Sequence, residues 1–228
     1  MMNCFDIIGP IMVGPSSSHT AGAVRIGLVA KALLDERIKK ADIGLCGSFA
    51  HTFRGHGTDK AIVAGLLGFF PDDERICKSL YLARKAGLDF TFHLINQQDL
   101  HPNTAIITLW GEQGRRVTIR GVSTGGGRIR IEAIDDIFVS FSGDYTTLVI
   151  NHQDTPGVVA GITHRLALQR INIASMRVFR SYRGGPAVTV IETDEQVDQS
   201  LCQAIGQIDE VRRAVLVQPV SEWLDLWR

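Results

Sequence analysis

The chain has 228 residues, 45% of them hydrophobic, and its 24 lysine and arginine residues balance its 24 aspartate and glutamate residues. This composition supports one large or two ordinary folded domains and argues against an intrinsically disordered chain. Balanced charge gives no support for a nucleic-acid-binding surface, and without a bilayer-length apolar segment or a signal-type N-terminus we expect a cytoplasmic protein that does not enter membranes.

Residues 1–143 are predicted to form a first domain in which helices precede an antiparallel sheet. Helical spacing of apolar residues predicts helices over 21–34, 58–69 and 73–86, with a short strand over 41–47. Aromatic and β-branched residues then predict five strands, over 90–95, 105–110, 116–122, 128–133 and 137–141. The three glycines 125–127 lie between two of these strands and indicate a hairpin turn with positive φ.

Residues 144–228 are predicted to form a second, smaller domain. Its predicted elements are a strand over 145–152, a helix over 157–169, a hairpin of strands over 173–182 and 186–193, a helix over 197–207 and a strand over 211–217. This βαββαβ order is typical of the ferredoxin-like fold, so the whole chain is assigned to the α+β class. Residues 221–228 are expected to form a short helical tail whose two tryptophans dock on this domain or on a partner.

The first polar cluster is GPSSSHT, residues 14–20, directly before the predicted helix 21–34. Its candidate ligand-binding residues are Ser16, Ser17, Ser18, His19 and Thr20. Either Ser17 or Ser18 is expected to cap the helix, whose N-terminus suits a carboxylate because it carries unpaired N–H groups and a positive dipole end. Since a cap requires only one hydroxyl, the remaining side chains predict a pocket for a small polar ligand.

Two further polar clusters are GHGTDK, residues 55–60, and HPNT, residues 101–104. Thr58 or Asp59 is expected to cap the next helix, and flanking glycines leave His56 on an accessible loop. His101 and Asn103 lie in the turn before the strand 105–110. Three loop histidines among hydroxyls, amides and glycines predict a shared polar site, in which a histidine with an ordinary pKa of about 6.5 can act as a base.

The four cysteines, Cys4, Cys46, Cys77 and Cys202, are far apart and form no CxxC motif. A structural zinc site or an iron–sulfur cluster normally draws on closely spaced thiolates. We therefore expect mostly buried structural thiols in a reducing compartment, and no metal site in this chain alone.

Residues 145–217 resemble an ACT domain, a small regulatory module that binds amino acids. The resemblance rests on DTPGV, residues 154–158, at the first strand-to-helix turn, and on RINI, residues 170–173, after the first helix. It implies an amino-acid ligand near His152, Asp154, Gly157 and Asn172, and edge-to-edge self-association into a homo-oligomer. A purely structural dimerisation module is the alternative.

The motifs FDIIGPIMVGPSSSHTAGA, GSFAHTFRGHGTDKA, HPNTA and GGGRI resemble the β chain of the oxygen-sensitive iron–sulfur L-serine dehydratases. The first domain also resembles the serine-binding regulatory domain of some phosphoglycerate dehydrogenases. The sequence departs from the family motif at His51, where a lysine is expected.

The resemblance implies a lyase that converts L-serine to pyruvate and ammonia, with a [4Fe–4S] cluster held by the cysteines of a separate α chain. It implies a proton-transfer role for His56. It also implies that L-serine, as substrate or effector, is bound by the first cluster together with Thr58, Asp59, His101 and Asn103.

Two other functions remain open from the sequence. The main rival is a stand-alone amino-acid sensor without catalysis, because both predicted domains resemble sensors. A pyridoxal-phosphate lyase that uses Lys60 or another lysine is a third function, but the sequence shows no glycine-rich phosphate site paired with such a lysine.

Overall fold

The described residues, 11–52, 54–97 and 99–219 of a computed structural model, fold around two β-sheets. The helices are α1 (Ala23–Leu34), α2 (Gly47–Thr52), α3 (Thr58–Leu67), α4 (Ser79–Lys85), α5 (Val158–Leu168) and α6 (Gln199–Gly206), with a π-helical turn over Ser17–Gly22 and a 3-10 turn over Glu74–Lys78. The strands are β1 (Ile38–Cys46), β2 (Asp89–Ile95), β3 (Thr104–Gly111), β4 (Arg116–Gly125), β5 (Arg128–Ile134), β6 (Ile137–Phe141), β7 (Thr146–Gln153), β8 (Ile173–Arg180), β9 (Pro186–Thr193) and β10 (Val211–Val217). The predicted tail over 221–228 lies outside the described residues.

The first sheet has six strands in the order β2-β1-β3-β4-β5-β6. The antiparallel prediction for the five strands over 90–141 is correct for β3 to β6, and β1 also pairs antiparallel with β3. It is wrong for β2, which runs parallel to β1 from the pair Lys40↔Asp89 to the pair Cys46↔Ile95. The reason is the helical connection between β1 and β2, which carries the chain back to the starting end of the sheet, as parallel pairing requires. The predicted hairpin turn between β4 and β5 is confirmed, since glycines 125–127 have φ values of 106°, 60° and 78°.

Helices α1 and α3 cross in backbone-to-backbone contact in the core of the first sheet's domain. A Cβ added to Gly65 would lie 2.1 Å from the Val24 carbonyl oxygen, and one added to Gly27 would lie 2.4 Å from the Ile62 carbonyl oxygen. Beneath the helices, alternate β3 side chains such as Ile107 are fully buried, as period-2 alternation in a strand requires. The crossing therefore sets how the loops before α1 and before α3 lie relative to each other.

Three helix predictions differ from the structure. The predicted helix over 21–34 starts as α1 only at Ala23, after the π-helical turn. The predicted helix over 73–86 is divided into a 3-10 turn and α4, while Gly68, with φ of 90°, ends α3 earlier than predicted. Helix α2 is absent from the prediction because it has only six residues, and its Phe49 is fully buried against the core.

The second sheet is antiparallel, in the order β10-β7-β9-β8, and the βαββαβ order is confirmed. Side chains of α5 and α6, including Ile162 and Ile205, form a core with one face of this sheet. Apolar residues of its other face belong to the same buried cluster as the first sheet: Val149, Val188, Val190, Val215 and Val217. The boundary at 143/144 stays a prediction. Within the described ranges, no helix has both the length and the hydropathy to cross a membrane.

Candidate functional site

The cap of the GPSSSHT segment is Ser16, so the prediction of Ser17 or Ser18 is wrong. Ser16 has extended backbone (φ −144°, ψ 124°), and its Oγ accepts a hydrogen bond from the His19 backbone N–H at 3.3 Å. The helical turn thus begins one residue earlier than the sequence indicated. Within the described chain the hydroxyls of Ser17 and Ser18 make no hydrogen bond, so neither is used in capping.

His19 is held in place by contacts at both ring nitrogens. Its Nδ1 lies 3.2 Å from Ser16 Oγ, and its Nε2 lies 3.1 Å from Ser48 Oγ on α2. The ring also packs edge-on against Phe49, with 5.2 Å between the ring centroids. Burial, and secondarily the nearby His56, lower the pKa of His19 below its usual range. The neutral imidazole is therefore the favoured form.

His56 meets His19 across the gap between the first two polar clusters. The ring centroids are 4.8 Å apart and the ring planes are nearly perpendicular, at 87°. His56 lies on the exposed loop before α3 and its backbone N–H donates to the Thr52 carbonyl. The structure thus brings the first and second clusters into direct contact through this histidine pair.

The cap of α3 is Gly57, with φ of 72°, so the predicted capping by Thr58 or Asp59 is wrong. Thr58 is fully buried and its Oγ1 has no hydrogen-bond partner, while Asp59 Oδ1 accepts from the Lys60 N–H at 2.8 Å. The chain turns into the helix at Gly57 because glycine, which has no Cβ, adopts a left-handed backbone without steric cost.

The third cluster approaches the first through α2. The Pro102 carbonyl accepts from the Phe49 N–H at 3.1 Å, next to the Ser48 that contacts His19. His101 is exposed, and its Nδ1 accepts from the Asn103 N–H at 3.1 Å. Asn103 Oδ1 is buried without a hydrogen-bond partner.

A cavity of about 270 Å³ opens beside the histidine pair. Its polar or reactive lining residues are Thr20, Arg54, His56, Lys60 and Cys77. The other described residues of the lining are glycine, proline, valine or isoleucine, so no carboxylate is among the described lining residues. Sequence reasoning missed Ser48, Arg54 and Cys77, since none of them stands in a recurring pattern. Lys60 was part of the second cluster but was not assigned to a ligand site.

The predicted ligand residues of the second domain are engaged within it. His152 is only 2% exposed, and its Nδ1 donates to the Gln153 carbonyl at 2.7 Å while its Nε2 lies in hydrogen-bond contact with Thr189 Oγ1 at 2.8 Å. The Asp154 carboxylate accepts from the Gly184 N–H at 3.0 Å and from Arg180 at 2.7 Å, and these two groups lower its pKa.

Asn172 lies at the far end of the second sheet from Asp154. Its Nδ2 donates to Asp194 Oδ2 at 2.8 Å, beyond the end of β9, whereas Gln153 pairs with Pro186 at the start of β9. Seven residue steps along the strand, at ~3.3 Å each, amount to about 23 Å. Gly157 starts α5 at the Asp154 end, with φ of 96°. A single chain therefore does not bring the four residues into one pocket.

No group of three or more His, Cys, Asp or Glu side chains arranged to hold a metal ion occurs in the part of the chain that the structure describes. Cys46 and Cys202 are buried, as expected of structural thiols, whereas Cys77 is exposed. Burial raises the pKa of Cys202 to about 11, so its thiolate is disfavoured at neutral pH.

Comparison with known proteins adds two family matches and several relatives. Residues 3–86 match the family described as serine dehydratase beta chain, and residues 146–210 match the ACT domain family. The chain is 40% identical over 207 residues to the probable L-serine dehydratase, beta chain, of Bacillus subtilis (strain 168), covering 91% of this chain and 94% of the relative. It is 38% identical over 217 residues to the L-serine dehydratase, beta chain, of Peptoniphilus asaccharolyticus, covering 95% and 98%. It is also 24% identical over 137 residues to D-3-phosphoglycerate dehydrogenase of Bacillus subtilis (strain 168), covering 60% and 26%.

Proposed function

Because the chain belongs to the family of L-serine dehydratase beta chains, we propose that it is the β subunit of a cytoplasmic enzyme that converts L-serine to pyruvate and ammonia with an α subunit. The observation that carries the proposal is the contact between His19 and His56 beside a small cavity with cationic lining. A three-carbon amino acid fits such a cavity better than a drug-sized ligand does. The α subunit is needed for activity.

His56 is the proton-transfer residue in this proposal. L-serine loses its α-proton and its hydroxyl as water, giving aminoacrylate, which tautomerises to an imine and is hydrolysed to pyruvate and ammonia. His19 is the poorer base for two reasons. Burial lowers its pKa, so it holds an abstracted proton less well, and Ser16 and Ser48 already contact its two ring nitrogens. His56 lies on an exposed loop at the cavity, where a substrate held at an interface can reach it.

The proposed serine-binding groups are the remaining polar residues of the first domain. The hydroxyls of Ser17 and Ser18 are available to a ligand, because Ser16 provides the cap. The other proposed members are Ser16, His19, Thr20, Thr58, Asp59, His101 and Asn103. They bind L-serine as substrate or as effector, and the buried, unpartnered oxygens of Thr20, Thr58 and Asn103 favour a polar ligand near them.

The family resemblance implies a [4Fe–4S] cluster, which we assign to the α subunit. The described cysteines of this chain do not fit such a group, because two are buried and the third is apart from them. No step of the proposed role of this chain is therefore routed through a cluster.

The second domain is proposed to bind an amino acid at His152, Asp154, Gly157 and Asn172 and to mediate self-association. β8 is an edge strand whose outer side is unpaired among the described residues, as edge-to-edge pairing requires. A second chain is needed to bring another copy of Asn172 towards Asp154, because one chain keeps them at opposite ends of the sheet.

The test of the catalytic proposal is His56→Gln in the anaerobically co-expressed αβ enzyme. We expect kcat to fall by roughly 10²- to 10⁴-fold while L-serine binding is retained, since loss of general base catalysis has that magnitude. His51→Gln, an exposed histidine on α2, is the matched control and should leave kcat near that of the wild type. Near-normal turnover by His56→Gln would exclude this residue as the base.

The second candidate function is an amino-acid sensor without catalysis. It is favoured by the ACT domain match and by the similarity to a phosphoglycerate dehydrogenase, which is not a serine dehydratase. Purification of the untagged partner distinguishes the two functions: a brown, cysteine-rich chain and serine-dependent pyruvate formation support the enzyme, and their absence after anaerobic co-expression supports the sensor.

A further inference from the structure

The described residues that line the cavity beside His56 carry positive charge. Lys60 and Arg54 are cationic side chains, and no aspartate or glutamate is among the described residues that line the space. No ion pair in the described part of the chain involves Lys60, and its side-chain nitrogen has no hydrogen-bond partner there. Positive charge concentrated in a concave site attracts small anions.

The N-terminus of α3 adds partial positive charge on the same side. Gly57 caps this ten-residue helix without a side-chain hydrogen bond, and in the first turn the Asp59 carboxylate accepts from the Lys60 N–H, so it offsets part, but not all, of the positive end of the helix. A Cβ at Gly57 would meet no atom within 4 Å, which leaves room for a ligand to approach the backbone. The Asp59 carboxylate is turned towards the Lys60 N–H and does not line the cavity.

Thr20 supplies an independent sign of a ligand. This residue lines the cavity, is only 2% exposed, and its Oγ1 has no hydrogen-bond partner. A buried hydroxyl without a hydrogen-bond partner is unfavourable, so such groups are rare unless something outside the chain pairs with them. A ligand oxygen in the cavity would provide that partner.

We propose that Lys60 and the N-terminus of α3 form the subsite for the carboxylate of a small monocarboxylic acid. Only the identity of that acid as L-serine rests on the proposed function. The cavity holds a volume of about 270 Å³, equal to roughly nine waters at ~30 Å³ each, which suits a metabolite of a few carbons. Because the described lining residues are cationic or uncharged, they select for the acid group of the ligand and not for an ammonium group.

Cys77 makes this subsite measurable without any dehydratase activity. It is a free, exposed cysteine that lines the same cavity, and its thiol donates to the Glu74 carbonyl at 3.1 Å. Iodoacetate and iodoacetamide alkylate a thiolate by the same step, in which a carbon–sulfur bond forms and iodide leaves. Only iodoacetate carries a carboxylate, so the ratio of the two rates reports recognition of that group.

The experiment measures both alkylation rates at Cys77 by peptide mass spectrometry on the full-length chain. Lys60→Met should lower the ratio of the iodoacetate rate to the iodoacetamide rate roughly tenfold. Lys60→Arg should keep most of the preference, and Lys85→Met, a lysine of α4 away from the cavity lining, should leave it unchanged. L-serine should protect Cys77, whereas L-serinamide, which lacks the carboxylate, should not.

Three outcomes separate this inference from the proposed function. Equal changes of both rates in Lys60→Met, or no change in either, overturn the carboxylate subsite. Equal protection by L-serine in the wild type and in Lys60→Met overturns the role of Lys60 but leaves serine binding standing. A Lys60-dependent preference for iodoacetate without protection by L-serine supports the subsite and contradicts the serine site.

Calorimetric titration of L-serine into Cys77→Ser, with and without Lys60→Met, repeats the comparison independently of the thiol. We expect roughly ten- to a hundredfold weaker binding of L-serine without Lys60.

Discussion

Replacing Gly65 by alanine should push α1 and α3 apart and disturb the histidine pair. The added Cβ would lie 2.1 Å from the Val24 carbonyl oxygen and 2.8 Å from the Leu28 nitrogen, whereas ordinary contact begins at 3.4 Å, so the helices must separate by about 1.3 Å (3.4 minus 2.1). The obstructing atoms belong to the helix backbone and cannot rotate away as a side chain does. Overpacking of this kind typically costs about 1–3 kcal/mol.

Two opposing effects determine the size of the change. Alanine at a helical position gains ~1 kcal/mol of helix propensity over glycine, because Gly65 has no positive φ that would strain the new residue. Since the clash involves fixed backbone atoms, its cost belongs at the upper end, about 3 kcal/mol, which leaves a net destabilisation of about 2 kcal/mol. A displacement of ~1 Å at a catalytic group also lowers turnover by roughly a hundredfold, and α1 and α3 follow the turns that carry His19 and His56.

The assay is urea unfolding of the full-length chain, with serine turnover measured in the αβ enzyme. Gly206→Ala is the matched control: this glycine also lies in a helix, α6, but its added Cβ meets no atom within 4 Å, so only the propensity gain applies. The control should be unchanged or slightly more stable. A Gly65→Ala protein as stable as Gly206→Ala would refute the backbone contact between α1 and α3.

Two further predictions concern charged groups. Burial lowers the pKa of His19, so between that pKa and about 6.5 the unfolded chain binds more protons than the folded one. The free energy of unfolding should therefore fall as the pH decreases below about 6.5. His19→Gln should flatten the pH dependence of the urea midpoint in this range, and an unchanged slope would show that another group is responsible. Arg213→Leu should cost about 1.5 kcal/mol, because it removes a 2.6 Å hydrogen bond to the Leu34 carbonyl between the second sheet and α1. Asp35→Asn should cost less, since the Asp35 carboxylate is 3.6 Å from Arg213 and 45% exposed, and asparagine tolerates the left-handed backbone at this position (φ 52°). The same unfolding assay compares the two variants, and an equal or larger loss for Asp35→Asn would contradict this order.

The polar motifs of the first domain show how far sequence reasoning reaches. GPSSSHT and GHGTDK stand out as candidate sites because their composition exceeds what helix capping requires. Their capping residues were assigned wrongly, however, since Ser16 and Gly57 were each chosen by backbone conformation rather than by side-chain type alone. The roles of the site residues in catalysis and binding stay predictions that the variants described above test.

Local chemistry by itself determined the α+β class, the βαββαβ order of the second domain and the glycine turn between β4 and β5, because periodicity and turn preference depend on neighbouring residues. Tertiary structure alone decided the parallel pairing of β2, the crossing of α1 and α3 at Gly27 and Gly65, the 4.8 Å contact of His19 with His56, and the placement of Asn172 far from Asp154. These features join segments tens of residues apart, and the free energy that selects them comes from packing and register across the whole core, which no local pattern records.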